Sequence, residues 1–256
     1  MLRVGVYFIL ELCYYIGRNF LWWDVVMDAV GSNSDNISNY DLEISAKRNI
    51  SYHFYIFFKR LFDLVFSFFA LLFMIPLIII IKIIYLINGD YKSIFYSQPR
   101  IGKNGKIFSL FKFRSMVSNA DEVLKELLKD PKYKSEWEQN QKFDNDPRIT
   151  KVGHFLRKTS LDEFPQFINV LFGQMSIIGP RPLVPGELDA HKGNHALYES
   201  VKPGISGYWA THGRSSTNYD ERLNLEYYYC KNASLILDIK IVFMTIYVVF
   251  KRHGAK

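Results

Sequence analysis

Apolar positions are distributed unevenly along the 256-residue chain. Leu61–Ile87 is almost wholly apolar, interrupted by Asp63, Ser67 and Lys82. As one helix this run would reach about 40 Å at 1.5 Å per residue, enough to cross a hydrocarbon core of about 30 Å. Pro76 lies near its middle, where it removes a backbone hydrogen bond and crowds the preceding turn. Two readings follow: a kinked spanning helix, or a helix–break–helix that enters and leaves on one face. Lys59 and Arg60 precede the run, and Lys92, Arg100 and Lys103 follow it. Positive charge favours the cytoplasmic side, so basic residues at both ends support the re-entrant form. Upstream, Val4–Leu10 is apolar but Glu11 and Arg18 end the pattern early. This is too short for a span and lacks the shape of a signal peptide. Residues 1–52 read as an amphipathic or membrane-associated helix followed by a polar linker over Asp24–Ile50.

Downstream of the apolar run the period changes. Tyr91–Met116 predicts a β-hairpin, with arms at Ile94–Tyr96 and Lys106–Phe113 and a turn at Gly102-Lys103-Asn104-Gly105. Ser118–Lys129 predicts an amphipathic helix capped by Ser118, with Ala120, Val123, Leu124, Leu127 and Leu128 on one face. Lys132–Lys142 suits a second short helix, and Asp144–Arg148 a polar turn. Ser160-Leu161-Asp162-Glu163 has the spacing of a capping box, followed by Pro165 in the first turn of a helix that stops at Gly173. Ser234–Phe250 is apolar nearly all round and ends in Lys251-Arg252, as an interfacial helix would. Its length leaves a second span as the rival. The fold class is α/β, rich in α: a membrane hairpin over residues 53–90 and a small cytosolic catalytic unit over 91–256 carrying interfacial helices.

Composition narrows the partners. The formal charge of +7 suits nucleic acid, anionic lipid or phosphorylated substrates. The long apolar run and the lack of a nucleic-acid-binding motif argue against the first. Cys13 and Cys230 are the only cysteines and form no metal or disulfide pattern, which fits a reducing compartment. The histidines, His191, His195 and His212 among them, show no metal spacing.

The chemistry concentrates in Arg157–Pro182. Asp162 and Glu163 stand side by side, bracketed by Arg157, Lys158 and Arg181. Carboxylates at a helix start often do no more than complement its dipole. However, the same helix start suits a phosphate, and arginine holds phosphate oxygens bidentately. Adjacent acids diverge by about 100° on a helix, so they suit a nucleophile and a metal ligand better than a pair straddling one bond. A carboxylate beside Mg²⁺ and arginines is expected to stay ionised. Arg100, Lys106, Lys112 and Arg114 of the hairpin either line a phosphate site or form a plain basic surface.

The run RKTSLDEFPQFINVLFGQMSIIGPRP, preceded by Asp146–Thr150 and Gly153, resembles the bacterial sugar transferases, the monotopic polyprenyl-phosphate phosphoglycosyl transferases. Further blocks match in order: Lys59-Arg60 and its proline-bearing helix, Gln98–Gly102 with Gly105-Lys106, Lys112–Met116, Lys202–Gly207 and Gly213-Arg214. The resemblance covers roughly Tyr52–Gly254. It implies Asp162 as nucleophile, Glu163 as the Mg²⁺ ligand, Arg181 on a phosphate and Arg157 as a second phosphate contact. Lys59 and Arg60 would retain lipid phosphate. It also implies a UDP-sugar donor, undecaprenyl phosphate as acceptor and the bacterial inner membrane as the site of action, with the catalytic unit facing the cytoplasm. Self-association is compatible with it. Gly213–Arg222 looks most like the branch that handles galactose 1-phosphate. Trp209-Ala210 replaces that branch's usual Trp-Gln, Asn232-Ala233-Ser234 its Asn-Trp-Ser, and His154 a basic Arg. A membrane scaffold that keeps the fold without turnover is the alternative.

Overall fold

The structure is a computed structural model and describes residues 39–140, 143, 145–213 and 217–251. The expectations for 1–38, for Asp144 and for the Arg214-Ser215-Ser216 part of the galactose-branch segment lie outside the described residues. The chain divides into two compact units, Met1–Asp63 and Leu64–Lys256.

Helix α1, Asn39–Ile87, carries the apolar run. It begins twelve residues inside what the polar pattern marked as linker, because Asn39–Ile50 is helical. It is also helical through Pro76, without the interruption expected there. Within it, Tyr52–Ile87 is long and apolar enough to cross a membrane. The second unit contains the C-terminal half of α1. There Met74, Ile81 and Tyr85 form a buried stripe, flanked by Leu71, Leu77 and Ile78. The spacing of three to four residues is that of one helix face. It packs on Ile94, Phe113 and Leu156 of the unit, while Phe73, Ile75, Ile79, Ile80 and Ile83 on the other faces remain exposed. Lys82 reaches back to the backbone carbonyls of Tyr91 and Lys92 at 3.5 and 3.2 Å.

The hairpin forms as expected. Strands β1, Phe95–Ile101, and β2, Ile107–Phe113, pair antiparallel from Phe95↔Phe113 to Ile101↔Ile107. A 3₁₀ turn, Lys103–Gly105, joins them, with Asn104 at φ 58° and Gly105 at φ 71°. These are the left-handed conformations that Asn-Gly tolerates. Phe108, Leu110 and Phe113 of β2 point inward. Helices α2, Ala120–Leu127, and α3, Pro131–Asn140, follow. Ser118 does not cap α2. Asn119 holds that position and makes no side-chain cap bond.

Next come α4, Lys151–Lys158, α5, Gln166–Leu171, and β3, Ser176–Ile178. Short α6, Glu187–Ala190, and α7, His195–Tyr198, precede β4, Gly204–Ser206. Strands β3 and β4 pair in parallel, Ser176↔Gly204 and Ile178↔Ser206. Among the described residues the sheet content is two separate two-stranded sheets, so the fold is helix-rich. The chain closes with α8, Tyr208–His212, α9, Tyr219–Asn232, and α10, Leu235–Lys251. Helix α10 docks along the unit. Ile241 is buried, and buried Asp238 accepts a 2.7 Å hydrogen bond from Tyr229 of α9. Its other side exposes Ile236, Ile239, Phe243 and Tyr247.

Candidate active site

Helix α4 begins at Thr150, whose Oγ1 accepts the Gly153 N–H at 2.9 Å. The chain leaves this helix through Ser160, held at φ 56°, and passes into a 3₁₀ turn, Leu161–Glu163. Ser160 makes no side-chain cap bond, so the capping box implied by the spacing does not form. Packing explains why. Leu161 and Phe164 are drawn into the same core as Leu156 and Phe113. That anchors the turn on both sides of the acids and leaves Asp162 and Glu163 partly exposed. Pro165 then caps α5, and Gly173 at φ 73° ends it.

Helix α5 is locked to the hairpin by Asn169, which is fully buried. Its Oδ1 accepts the Phe111 N–H at 3.0 Å, and its Nδ2 donates to the Ser109 carbonyl at 2.8 Å and to Gln174 Oε1 at 2.7 Å. This lock sets the register between β2 and the acidic turn. Lys112 Nζ meets Glu163 Oε1 at 3.0 Å. Burial raises the Asp162 carboxyl above its ordinary range; Lys112 opposes that, Glu163 adds to it and Arg157 opposes it. The sequence-based expectation of an acid simply held ionised is therefore modified, because half-burial counts against the charge.

The opposite wall is the Gly179–Pro182 loop. The Gly179 N–H donates to Ser206 at 2.9 Å and the Gly204 N–H to Pro180 at 2.8 Å. A side chain at Gly179 would collide with the 202–204 backbone. Three side chains fix the following residues. Glu226 Oε1 accepts the Arg181 N–H at 3.1 Å, Tyr198 Oη donates to the Arg181 carbonyl at 2.9 Å, and Arg100 donates to the Pro182 carbonyl at 3.1 Å. The Arg181 guanidinium itself is exposed and lies 5.9 Å from the Trp209 ring, on which Arg222 also rests at 4.9 Å. Burial holds the Arg100 guanidinium below its ordinary pKa, and the nearby Arg181 and Arg222 charges add to the effect. Cation therefore accumulates on this wall.

Between the two walls lies a cleft of about 470 Å³. Glu163, Lys112, Arg100, Arg181, Trp209 and Glu226 line it, with Ala210 beside Trp209. That size suits a small-molecule ligand. Of the residues expected from sequence, Glu163 and Arg181 line this cleft, and Asp162 is half-buried next to Glu163 in the same turn. Arg157 donates to Ser115 Oγ at 2.9 Å and is close enough to act on the Asp162 charge. Arg114 is not brought there. It is buried, paired with Asp90 at 2.8 Å, bonded to the Ser93 and Met116 carbonyls, and stacked over Tyr85. Those contacts make it a structural tie between the end of α1 and the hairpin. Lys59 and Arg60 lie on α1 within the first unit, whereas the cleft is built wholly from the second.

Arg100 and Lys112, which the sequence left between a phosphate site and a plain basic surface, line the cleft, whereas Trp209 and Glu226 were not singled out as site residues. Glu226 carried a usable signal. It falls between Leu223 and Tyr229 on the buried stripe of α9, where an acid is out of place.

The donor set bears on Mg²⁺. Among the described residues no three of His, Cys, Asp and Glu gather into a metal-binding group. Two adjacent carboxylates are nonetheless a fitting set for a hard cation that keeps waters and takes further oxygens from a bound phosphate.

The sequence model of the family described as bacterial sugar transferase matches residues 54–252. The chain is 48% identical over 200 residues to an undecaprenyl-phosphate galactose phosphotransferase of Salmonella typhimurium, covering 78% of this chain and 42% of that protein. It is 43% identical over 213 residues to a UDP-galactose-lipid carrier transferase of Erwinia amylovora, covering 83% and 44%. It is 41% identical over 198 residues to the exopolysaccharide production protein ExoY of Rhizobium meliloti, covering 77% and 87%. The chain belongs to the bacterial sugar transferase family. It spans less than half the length of the first two relatives.

Proposed function

We propose that the protein transfers a hexose 1-phosphate, with galactose 1-phosphate favoured, from a UDP-sugar to undecaprenyl phosphate. The observation that carries this is the Asp162-Glu163 turn, whose Glu163 meets Lys112 on one wall of a ligand-sized cleft that has Arg181 on the other. An Asp162 oxygen attacks the phosphorus that bears the sugar. The bond from that phosphorus to the bridging oxygen breaks, and UMP leaves with the oxygen and its electron pair. An oxygen of undecaprenyl phosphate then attacks the same phosphorus, which frees Asp162 and leaves the hexose on a lipid diphosphate. This is phosphoryl transfer, in which positioning and charge neutralisation do most of the catalysis. Lys112, Arg181 and Arg100 hold the diphosphate and offset its charge. Glu163 would hold Mg²⁺, which when bound adds positive charge beside the phosphate oxygens. The product is the first lipid-linked unit of a surface polysaccharide, made at the cytoplasmic face of the inner membrane.

The same proposal includes a re-entrant membrane element. From Leu71 onward α1 lies on the catalytic unit, and the segment before it contains Lys59, Arg60 and Asp63. Within α1, the charge-free residues ahead of the packed half, Leu64–Ala70, are far fewer than the roughly 20 that span a bilayer. A bend of α1 at Pro76 within the membrane, returning the chain to the face it entered, would put the cleft near the headgroups, where the polyprenyl phosphate lies.

The test gives membranes carrying the protein undecaprenyl phosphate, Mg²⁺ and a panel of UDP-hexoses, and measures UMP. Release with UDP-galactose is expected. No UMP from any donor would overturn the proposal and leave the inactive scaffold. For topology, a single cysteine at exposed Tyr91 is expected to label from the cytoplasmic side; labelling only from the periplasm would refute the re-entrant form.

A further inference from the structure

Glu226 is 1% exposed yet lines the cleft. One carboxyl oxygen, Oε1, accepts the Arg181 N–H. The other, Oε2, has no hydrogen-bond partner among the described residues. A buried acceptor left unpaired is unfavourable, and in a native structure such a group calls for a partner or a functional role. Arg222, one helical turn earlier on α9, does not complete it. Its guanidinium is turned to Glu187 at 3.3 Å and to the rings of Trp209 and Tyr219. The space over Oε2 is bounded by Gly207. An added Cβ there would stand 3.9 Å from Oε2 and would also collide with the Gly179 carbonyl, so the backbone keeps this corner free of side chains.

We propose that Glu226 Oε2 accepts a hydrogen bond from a hydroxyl of the bound nucleotide sugar and so helps decide which donor the cleft takes. This rests on the transferase reading above. The chemistry around Oε2 favours a polyol joined to a phosphate. The acceptor is held on the cleft lining through the Arg181 N–H bond, and the Arg222 and Arg181 charges act on it and are near enough to neutralise an adjoining phosphate. A buried acceptor with one open lone-pair direction discriminates strongly against a ligand lacking the matching donor. Ribose and hexose hydroxyls share this chemistry.

The experiment measures binding to the full chain in detergent at pH 8 by titration calorimetry. The ligands are UDP-galactose, its 2′-deoxyuridine and 3′-deoxyuridine analogues, and analogues lacking one hexose hydroxyl each. In the wild type one analogue is expected to bind roughly ten- to a hundred-fold more weakly. A ribose analogue would place the nucleoside at Glu226, and a hexose analogue the sugar. In Glu226→Gln the amide oxygen can still accept the Arg181 N–H while the NH₂ replaces the open acceptor, so the same deletion should matter less than about twofold. If no single deletion weakens wild-type binding by more than about twofold, the proposal fails whether or not the variant folds. An equal penalty in wild type and variant overturns it too. UMP release is scored separately. A wild type that turns over without a hydroxyl penalty sinks this inference alone. A Glu226-dependent penalty without UMP sinks the transferase reading alone.

Discussion

Lys112 of β2 and Glu163 of the 3₁₀ turn meet at 3.0 Å across the edge of the cleft, with side chains 27% and 41% exposed. A partly solvated pair of this kind contributes only about 0–1 kcal/mol to stability. In the proposed reaction its value is to bring a cation to the place where the phosphate oxygens and the attacking carboxylate would converge. Lys112→Met is therefore expected to change the unfolding free energy by less than about 1 kcal/mol. The same change should lower kcat/KM for UDP-galactose by about ten- to a hundred-fold. Thermal melting and UMP release on one preparation check both halves. Wild-type turnover in Lys112→Met would remove the lysine from the site.

Asp162→Asn separates a catalytic carboxylate from one that merely decorates a turn. Asparagine keeps the shape and drops a half-buried charge, so the melting temperature should stay within a few degrees. UMP release should fall by about a thousand-fold or more, since the nucleophile is gone. A radiolabelled phospho-sugar adduct, trapped on the wild type by acid quench without acceptor, should be absent from the variant. An adduct persisting on Asp162→Asn would move the nucleophile elsewhere. Glu163→Gln should retain the adduct site but require more Mg²⁺ for half-maximal rate; an unchanged Mg²⁺ titration would count against the ligand role.

Asn169 is a structural prediction. It joins α5 to β2 through the Phe111 N–H and the Ser109 carbonyl, and to Gln174 in the turn after α5. Asn169→Leu would strip these partners in a fully buried place and is expected to cost roughly 3 kcal/mol. Urea unfolding would read it. Because the same lock sets the Lys112–Glu163 approach, turnover should fall with stability, in contrast to Asp162→Asn.

Local signals carried the hairpin. Asn104-Gly105 has few conformations that join two strands, which placed the turn, while the burial of Phe108 and Leu110 emerged only in the structure. The apolar run of α1 was equally plain. Its course through Pro76 was not, because a proline's effect depends on what packs against the next turns, here Met74, Ile81 and Tyr85 on the catalytic unit. Ser160 misled for a related reason. Ser-x-x-Glu spacing describes a cap only if the helix starts there, and the burial of Leu161 and Phe164 makes a 3₁₀ turn instead. Arg114 shows the limit of reading charge as function. Its acceptors at Asp90, Ser93 and Met116 are assembled by the fold, and no spacing rule announces them. The separate roles of Asp162 and Glu163 came from resemblance, since two adjacent acids alone admit a dipole role.

Glu226 also sets a pH dependence. Burial pushes its carboxyl up to about 7, against the opposing Arg181 N–H bond and the Arg222 and Arg181 charges. The other titratable groups coupled to it are Tyr198 from α7 and Cys230 on the same helix. A carboxyl whose folded value lies above its unfolded value of about 4.5 binds more protons when folded. Stability is then fully present below about 4.5 and declines as pH rises towards 7, by on the order of 3 kcal/mol. The sign is opposite to that of a salt-bridged acid. Glu226→Gln should abolish this slope, unfolding at the same urea midpoint at pH 5.5 and pH 8 after other titrations are matched, and should be the more stable protein at pH 8. The comparison is urea unfolding of both proteins at several pH values between 4.5 and 8.5. If the two curves run parallel across that window, the buried carboxyl is not the group that titrates.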